Sequence, residues 1–372
     1  MRIGIPRPQR DDERRVALTP GGVKSFVRRG HPVWVESGAG AGAGHRDEDY
    51  EAAGATIGFS HQEIFARADL LTCVSTPGRE ERELMHADQV ISAFWLLPAA
   101  RREDVAELAS RGVTAIGLEA IQDGAGNTPV LTLMSEIAGG LAPFLGAALL
   151  LNEWGGHGIL FGGAPGIPAA EFVVLGAGVL GCASARTALG MGAAVTLLDV
   201  SLEKLRAARR ELGPALTTML ATRSNLEKAL AFADLVLGAV AVHGERAPVL
   251  VTRDLLRRMR PRAVILDLAI DMGGCCETSR PTRFPDPVYE VDGIRHFCVP
   301  NLPSLAARSA SLALTNVTLP YLERIADLGL DGALAAEPGL ARGTYLYRGG
   351  CSAESLARAF GMPLAPLPGA AS

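Results

Sequence analysis

Along the first 130 residues, short apolar runs alternate with polar-faced stretches at a spacing that predicts repeated strand–helix units. Arg2–Ile5 reads as a strand. Thr19-Pro20-Gly21-Gly22 opens a helix running to about Arg29, with the threonine as cap and the proline at the first helical position. His31–Glu36 alternates as a strand, a glycine-rich loop covers Ser37 to Gly44, and an acidic helix start follows at Asp47–Tyr50. Leu70–Val74, Gln89–Phe94 and Thr114–Gly117 predict three more strands, the last leading to Glu119. Helices fall near Glu80–Leu84 and over Arg102–Arg111.

The middle of the chain differs in kind. Met134 to about Glu153 predicts one long, mostly apolar helix, and a glycine/proline loop from Gly155 to Pro168 breaks it. Phe172–Leu175 is a continuous apolar strand, followed at once by Gly176-Ala177-Gly178-Val179-Leu180-Gly181 and an alanine-rich helix. Ala194–Leu198 is the next strand and ends on Asp199. Leu235–Leu237, Ala263–Leu268 and Phe297–Val299 are further strand candidates, and Ser309–Ile325 is again a long helix. The tail after Met362 reads as a loose end. The pattern is that of an α/β protein with divisions at 1–130, 131–304 and 305–372, the last segment returning to the first domain.

Length and composition narrow this picture. A chain of 372 residues exceeds the size of one core, so two domains are expected. A net charge of -4 without a basic stripe argues against nucleic acid as a partner. The start, MRIGIP, reads as a strand and not as a signal peptide. The longest apolar run, Ile137 to Leu151, falls short of a bilayer span and reads as a buried helix, so no membrane partner is expected. Six cysteines without a CxxC pair or a ligand-like histidine predict free thiols, no metal site and a reducing cytoplasm.

The glycine run carries the first chemistry. GxGxxG alone is weak, but here it sits between an apolar strand and a helix, with an acid 18 residues past its last glycine. Gly176 allows the tight turn, Gly178 lets the backbone approach a pyrophosphate, and Gly181 lets helix and strand pack closely. The helix start at Val179 and Leu180 offers unpaired N–H groups to the phosphates. Asp199 would take the ribose hydroxyls and repel a 2′-phosphate, so NAD is the expected cofactor.

Several blocks together resemble the alanine dehydrogenase and nicotinamide nucleotide transhydrogenase family. They are Ile3-Gly4-Ile5-Pro6, the run Asp12 to Pro20 (DERRVALTP), Met134 to Gly139 (MSEIAG), Asp267 to Cys275 (DLAIDMGGC) and Ala313-Leu314-Thr315-Asn316. The blocks keep family order from residue 1 nearly to the end. The resemblance implies two Rossmann-like doubly wound domains joined by long helices, with the active site in the cleft between them. It also implies a soluble cytoplasmic homo-oligomer, a hexamer or dimer, with Ile137–Leu151 available to an interface. Arg15 matches the arginine that grips the substrate carboxylate, Glu13 its neighbour, and Asp271 the aspartate beside the nicotinamide. Ser135, Lys204, Val240, Leu268, Ile270 and Asn301 fall where the family contacts NAD. Ala221 stands where the family commonly has serine.

Two positions depart from the pattern. Where the family has a lysine that helps bind the keto acid, this chain has Ser75. Where it has a histidine acting as acid and base, the chain has Leu96. His86 and His61 read as surface histidines, not relocated catalysts. A positioned acid/base contributes roughly 10²–10⁴-fold in rate, so efficient alanine chemistry is not expected. The remaining candidate catalytic set is Arg15, Asp271, Glu13, Ser75 and Trp95, with Thr76 a further hydrogen-bonding group and Phe94, Trp95, Leu96 and Leu97 forming a pocket wall. The expected function is NAD(H)-dependent hydride transfer to or from a C–N or C=O bond of an amino- or imino-acid-like, carboxylate-bearing small molecule other than alanine or pyruvate. A catalytically degenerate NAD-binding protein and an alanine dehydrogenase with a rewired acid/base are the alternatives.

Overall fold

The structure is a computed structural model that describes residues 1–240 and 246–368. The chain separates into two compact units, Met1–Met134 with Ser304–Ser372, and Ser135–Pro303. In the first unit, β1 (Ile3–Ile5), β2 (Val33–Glu36), β3 (Thr56–Gly58), β4 (Leu70–Ser75), β5 (Val90–Phe94) and β6 (Thr114–Gly117) form a parallel sheet in the order β3-β2-β1-β4-β5-β6. The central strands β1, β4 and β5 are mostly apolar and buried because a parallel sheet is covered on both faces. The order reverses beside β1. Right-handed crossovers therefore place helices on opposite faces and open a crevice beyond the carboxyl ends of β1 and β4.

The second unit repeats the plan with β7 (Glu171–Leu175), β8 (Ala194–Asp199), β9 (Thr217–Leu220), β10 (Leu235–Gly238), β11 (Val264–Asp267), β12 (Val288–Val291) and β13 (Ile294–Phe297). Their order is β12-β13-β11-β10-β7-β8-β9, parallel except for β12, and the reversal lies beside β7. Its core gathers Phe172, Val174, Leu197, Leu237 and Leu266 from the strands. The chain then returns to the first sheet through β14 (Thr344–Tyr347) and β15 (Gly350–Cys351), with β14 antiparallel to β6. Both sheets are Rossmann-like.

Several elements differ from the sequence reading. The strand expected at Phe297–Val299 is Ile294–Phe297, hidden in the sequence by two polar residues that find buried partners. Arg295 donates to the carbonyls of Leu149 (2.6 Å) and Trp154, and His296 Nε2 pairs with Thr278 Oγ1 at 2.8 Å. β3, β9, β12 and β14 are not legible as strands in the sequence, being short and, for β3, β9 and β12, only partly buried. Thr19 precedes the helix Pro20–Arg28 but its side chain makes no capping bond. The tail is not loose throughout: the Ala365 N–H donates to the Cys351 carbonyl at 2.6 Å. Residues 369–372 of that tail lie outside the described residues. The helix at Ser309–Ile325 extends over Ala307–Ala336, broken at Gly329.

The long apolar helix is Pro129–Leu149, and it carries the chain from the first unit into the second. It begins five residues earlier than expected because Pro129 suits the first helical turn. At 21 residues it is long and apolar enough to cross a membrane, which corrects the run-length argument. Its small residues account for it otherwise. Gly139 lies against the Leu180 carbonyl, Gly146 against Leu235, and Ser184 Oγ donates to the Gly139 carbonyl at 2.7 Å. Ala138, Ala142 and Leu149 belong to the second core. All six cysteines are free.

Candidate functional site

In the first unit the chemistry gathers at the carboxyl ends of β1, β4 and β5. The loop after β1 carries Glu13 and Arg15, 6% and 5% exposed. Arg15 Nε and Nη2 donate to the two Glu13 oxygens at 2.8 and 2.7 Å, a bidentate pair that fixes the guanidinium plane. Ser75, the last residue of β4, donates its hydroxyl to Glu13 Oε2 at 3.1 Å. Arg15 lies over the Phe94 ring at 5.6 Å, and its Nη1 meets Met134 Sδ at 3.4 Å. The β4/β5 ladder is irregular between Thr72 and Ser75, a bulge that re-aims side chains next to the site.

The loop itself is neither strand nor helix, so its N–H groups need partners from elsewhere. Hydroxyls of the C-terminal segment supply them. Ser304 accepts from Arg14 N–H at 2.8 Å, Ser311 from Val16 N–H at 2.9 Å, and Thr315 from Thr19 N–H at 2.9 Å. Ser304 also donates to the Asp12 carbonyl. The sequence offers Thr315 only as part of the block at residues 313–316, and it gives no sign of Ser304 or Ser311.

The turn after β5 corrects the expected wall. Trp95, a candidate catalytic residue, is 1% exposed, belongs to the core of the first unit and donates Nε1–H to the Ile91 carbonyl. Leu97 is buried in the same core. Leu96 instead is 50% exposed, in a left-handed conformation (φ 47°). Glu119, past β6, holds this turn by accepting from the Leu96 and Trp95 N–H groups at 2.7 and 3.2 Å. Burial pushes its carboxyl above the ordinary range, against the pull of those hydrogen bonds. The wall is therefore reduced to Phe94 and Leu96, because past the end of β5 the left-handed turn at Leu96 leaves that side chain exposed while Trp95 and Leu97 enter the core. Thr76 spends its hydroxyl on the Phe94 and Trp95 carbonyls.

His86 is exposed, but His61 is not a simple surface histidine. Its ring lies between Glu36 Oε2 (2.6 Å) and Glu81 Oε1 (3.0 Å), ties β2 to two helix starts and lies outside the Arg15 cluster. Burial lowers its affinity for a proton, and the two carboxylates outweigh that, raising its pKa to about 9.

In the second unit the glycine loop follows β7 with the geometry of a dinucleotide site. Gly176 has φ 109°, open only to glycine without strain, and a Cβ there would meet the Ala239 carbonyl at 2.5 Å. A Cβ on Gly181 would fall 1.9 Å from the Gly176 carbonyl oxygen. A Cβ on Gly178 would meet nothing, which leaves the space before the helix Val179–Gly190 open. Val179 is exposed and Leu180 half-buried at that helix start. Asp199 closes β8, 9% exposed, its carboxylate accepting from Ala177 N–H and Ser201 N–H, each at 2.8 Å. Pyrophosphate at the open glycine and ribose at the fixed carboxylate is a cradle these residues fit.

The neighbouring loops are those after β10 and β11. Val240 lies against Gly176, and Leu268, Ile270 and Asp271 follow β11, with Asp271 exposed. Asp267, missed in the sequence, is fully buried and orders that loop. It accepts from the N–H groups of Ala269, Cys275 and Cys276 and from Ser279 Oγ. Ser135 is half-buried, Lys204 exposed, and Asn301 half-buried with φ 58°. Ala221 N–H donates to the Asp199 carbonyl, and its side chain packs into the core.

Residues 4–138 match the family described as alanine dehydrogenase/PNT, N-terminal domain, and residues 142–354 match its C-terminal domain. The chain belongs to the alanine dehydrogenase/PNT family. Within the family it is 42% identical over 363 residues to the alanine dehydrogenase of Mycobacterium tuberculosis, covering 98% of each chain. It is 39% identical to that of Bacillus subtilis, covering 98% of this chain and 96% of the relative. A solved L-alanine dehydrogenase superposes with a TM-score of 0.92 at 39% identity, over 97% of this chain and 99% of the other. The transhydrogenase from Sinorhizobium meliloti gives 0.80 at 27% identity, over 95% and 100%. This alanine dehydrogenase/PNT family member is thus an oxidoreductase of a family that uses NAD(H).

Proposed function

We propose that the protein transfers a hydride between NAD(H) and a carbon–nitrogen bond of an amino- or imino-acid-like carboxylate other than alanine. The reading rests on one observation: the buried Arg15–Glu13 pair is bordered by Ser75 and Phe94, with Leu96 exposed on the turn that follows and no lysine or histidine at the ends of β4 and β5. Two nitrogens of Arg15 are held by Glu13 and Nη1 meets Met134 Sδ, and the Nη hydrogens left over are the ones we assign to a substrate carboxylate. Glu13 keeps the fork in place, and Ser75 hydrogen-bonds Glu13 instead of contributing a cation. Phe94 and Leu96 favour a larger or less polar substrate than pyruvate.

NAD(H) supplies or accepts the hydride. Gly176, Gly178, Gly181 and Asp199 would hold its pyrophosphate and ribose, and Leu268, Ile270 and Asp271 lie on the neighbouring loop. Making an imine from a ketone and ammonia needs proton transfers that neither Ser75 nor Leu96 can perform at neutral pH. An imine formed beforehand, protonated in solution, removes most of that need. We assign Asp271 to orienting the nicotinamide or relaying a proton. The protein is further proposed to be a homo-oligomer, a reading supported by the exposed Phe144, Leu151, Trp154, Leu160 and Ile167 of the second unit, and cytoplasmic, a reading supported by its free cysteines.

The test is NADH oxidation across a panel of imines and NADH formation across amines, with alanine and with pyruvate plus ammonia in parallel. Turnover of an imine or amine with little on alanine supports the assignment. Alanine turnover at ordinary dehydrogenase rates returns the protein to alanine chemistry. Binding of NADH with no turnover of any panel member makes it a cofactor-binding protein.

A further inference from the structure

The loop from Arg7 to Arg15 and the turn at Gly38–Gly42 enclose an open cavity of about 430 Å³ in the first unit. Four arginines, Arg7, Arg10, Arg14 and Arg15, belong to its lining, against two acidic residues, Asp11 and Glu13. That excess of positive charge is local, because the chain as a whole carries -4.

The four arginines are not equivalent. Arg15 is committed to Glu13, and Arg10 pairs with Asp12 at 2.9 and 2.7 Å. Arg7 and Arg14 are both exposed, and among the described residues neither side chain has a carboxylate within ion-pair distance. Glu36 accepts from the backbone N–H of Arg7 and from the His61 ring, and against the upward push of burial the charge of Arg7 helps lower its pKa from beyond ion-pair distance. Like charges gathered on one wall repel and are best relieved by an anion, which a planar guanidinium binds through paired donors. The cavity shares Glu13 and Arg15 with the cluster at the strand ends, and alanine has no group to fill it.

We propose that the cavity receives a second oxyanion of the substrate, a carboxylate or phosphoryl group, so that the molecule held at Arg15 is a dianion. This rests on the reading of Arg15 as the partner of the substrate's first carboxylate. Arg7 and Arg14 then act as specificity residues: they choose the dianion and steer it toward the site.

The test is equilibrium binding to the full-length protein in the presence of NADH, at low ionic strength, where such pairs are least screened. Glutarate and succinate serve as dicarboxylates, phosphonoacetate as the phosphoryl-type probe, and acetate and pyruvate as monoanions. Dianions are expected to bind about ten-fold tighter than monoanions or better. The R7Q/R14Q double variant is expected to remove that preference while its melting temperature and NADH affinity stay unchanged. A preference for the dicarboxylates identifies the second group as carboxylate, and a preference for phosphonoacetate identifies it as phosphoryl. Either supports the proposal. Equal binding of monoanions and dianions overturns it, as does a preference that survives R7Q/R14Q. Dianion binding through these arginines without turnover of any amine or imine would defeat the oxidoreductase reading alone. Turnover confined to monoanionic substrates would defeat the cavity's assignment alone.

Discussion

The two units place their chemistry at the same point of the same topology, yet they build it from different material. After β7, the loop is defined by backbone: Gly176 by its positive φ, Gly181 by its contact with the Gly176 carbonyl. Beyond β4 and β5, the site is defined by side chains: Ser75 on Glu13, Phe94 over Arg15, Leu96 exposed on its turn. A backbone cradle tolerates almost no substitution. A side-chain pocket can change its chemistry while the sheet beneath it stays the same. Under the proposed function, it is this side-chain pocket that sets the protein's chemistry apart.

The largest effect that would sharpen this contrast is expected at the ion pair. Arg15→Ala leaves Glu13 buried without its cation and should cost about 3–5 kcal/mol of stability, read as a lowered melting temperature together with loss of turnover. If stability hardly changes, Glu13 is compensated by other groups and the pair does not organise the site. Gly181→Ala comes next, at about 3 kcal/mol, because its Cβ would overlap a backbone oxygen. NADH titration should show binding lost, and a variant that binds normally would mean the loop is adaptable after all. The double substitution Ser75→Lys with Leu96→His tests the other side. Restoring a cation and an acid/base should raise alanine oxidation by about 10²-fold, measured as NADH formation at alkaline pH. No gain would show that the pocket differs in more than these two positions.

The smallest effect lies outside both sites, in the Glu36–His61–Glu81 bridge. The folded pKa of His61 is raised from 6.5 to about 9, so its stabilising contribution is complete below about pH 6.5 and disappears as pH rises through about 9. After allowance for solvent screening it amounts to about 1–2 kcal/mol. Denaturation of His61→Gln beside the parent protein should show the gap at pH 6 and a smaller gap at pH 10. A gap that widens with pH would reverse the assignment.

The glycine loop, its helix and the acid at the end of β8 were legible in order because each meets a local backbone requirement. So were the central strands, whose apolar runs are continuous. The edge strands β3, β9 and β12 were not, since strands covered by fewer neighbours need fewer apolar residues. Trp95 differs from the expectation for another reason: four large apolar residues in a row look like a wall, and only the left-handed turn past β5 decides which of them face inward. Asp267 and Glu119 looked like ordinary strand-end acids, yet each holds a loop by accepting backbone N–H groups.

By itself the sequence determined the α/β class and the cofactor loop, because those depend on residues close together in the chain. Only the tertiary structure decided what surrounds Arg15. The loop that carries it has no regular hydrogen bonding of its own. Hydroxyls of Ser304, Ser311 and Thr315 hold it from nearly 300 residues away. Arg7, Arg14 and Arg15 likewise share a cavity with the turn at Gly38–Gly42 only after β1 and β2 have paired. Local backbone rules can be read along a chain, whereas long-range hydrogen bonds and shared cavities exist only once the chain has closed on itself.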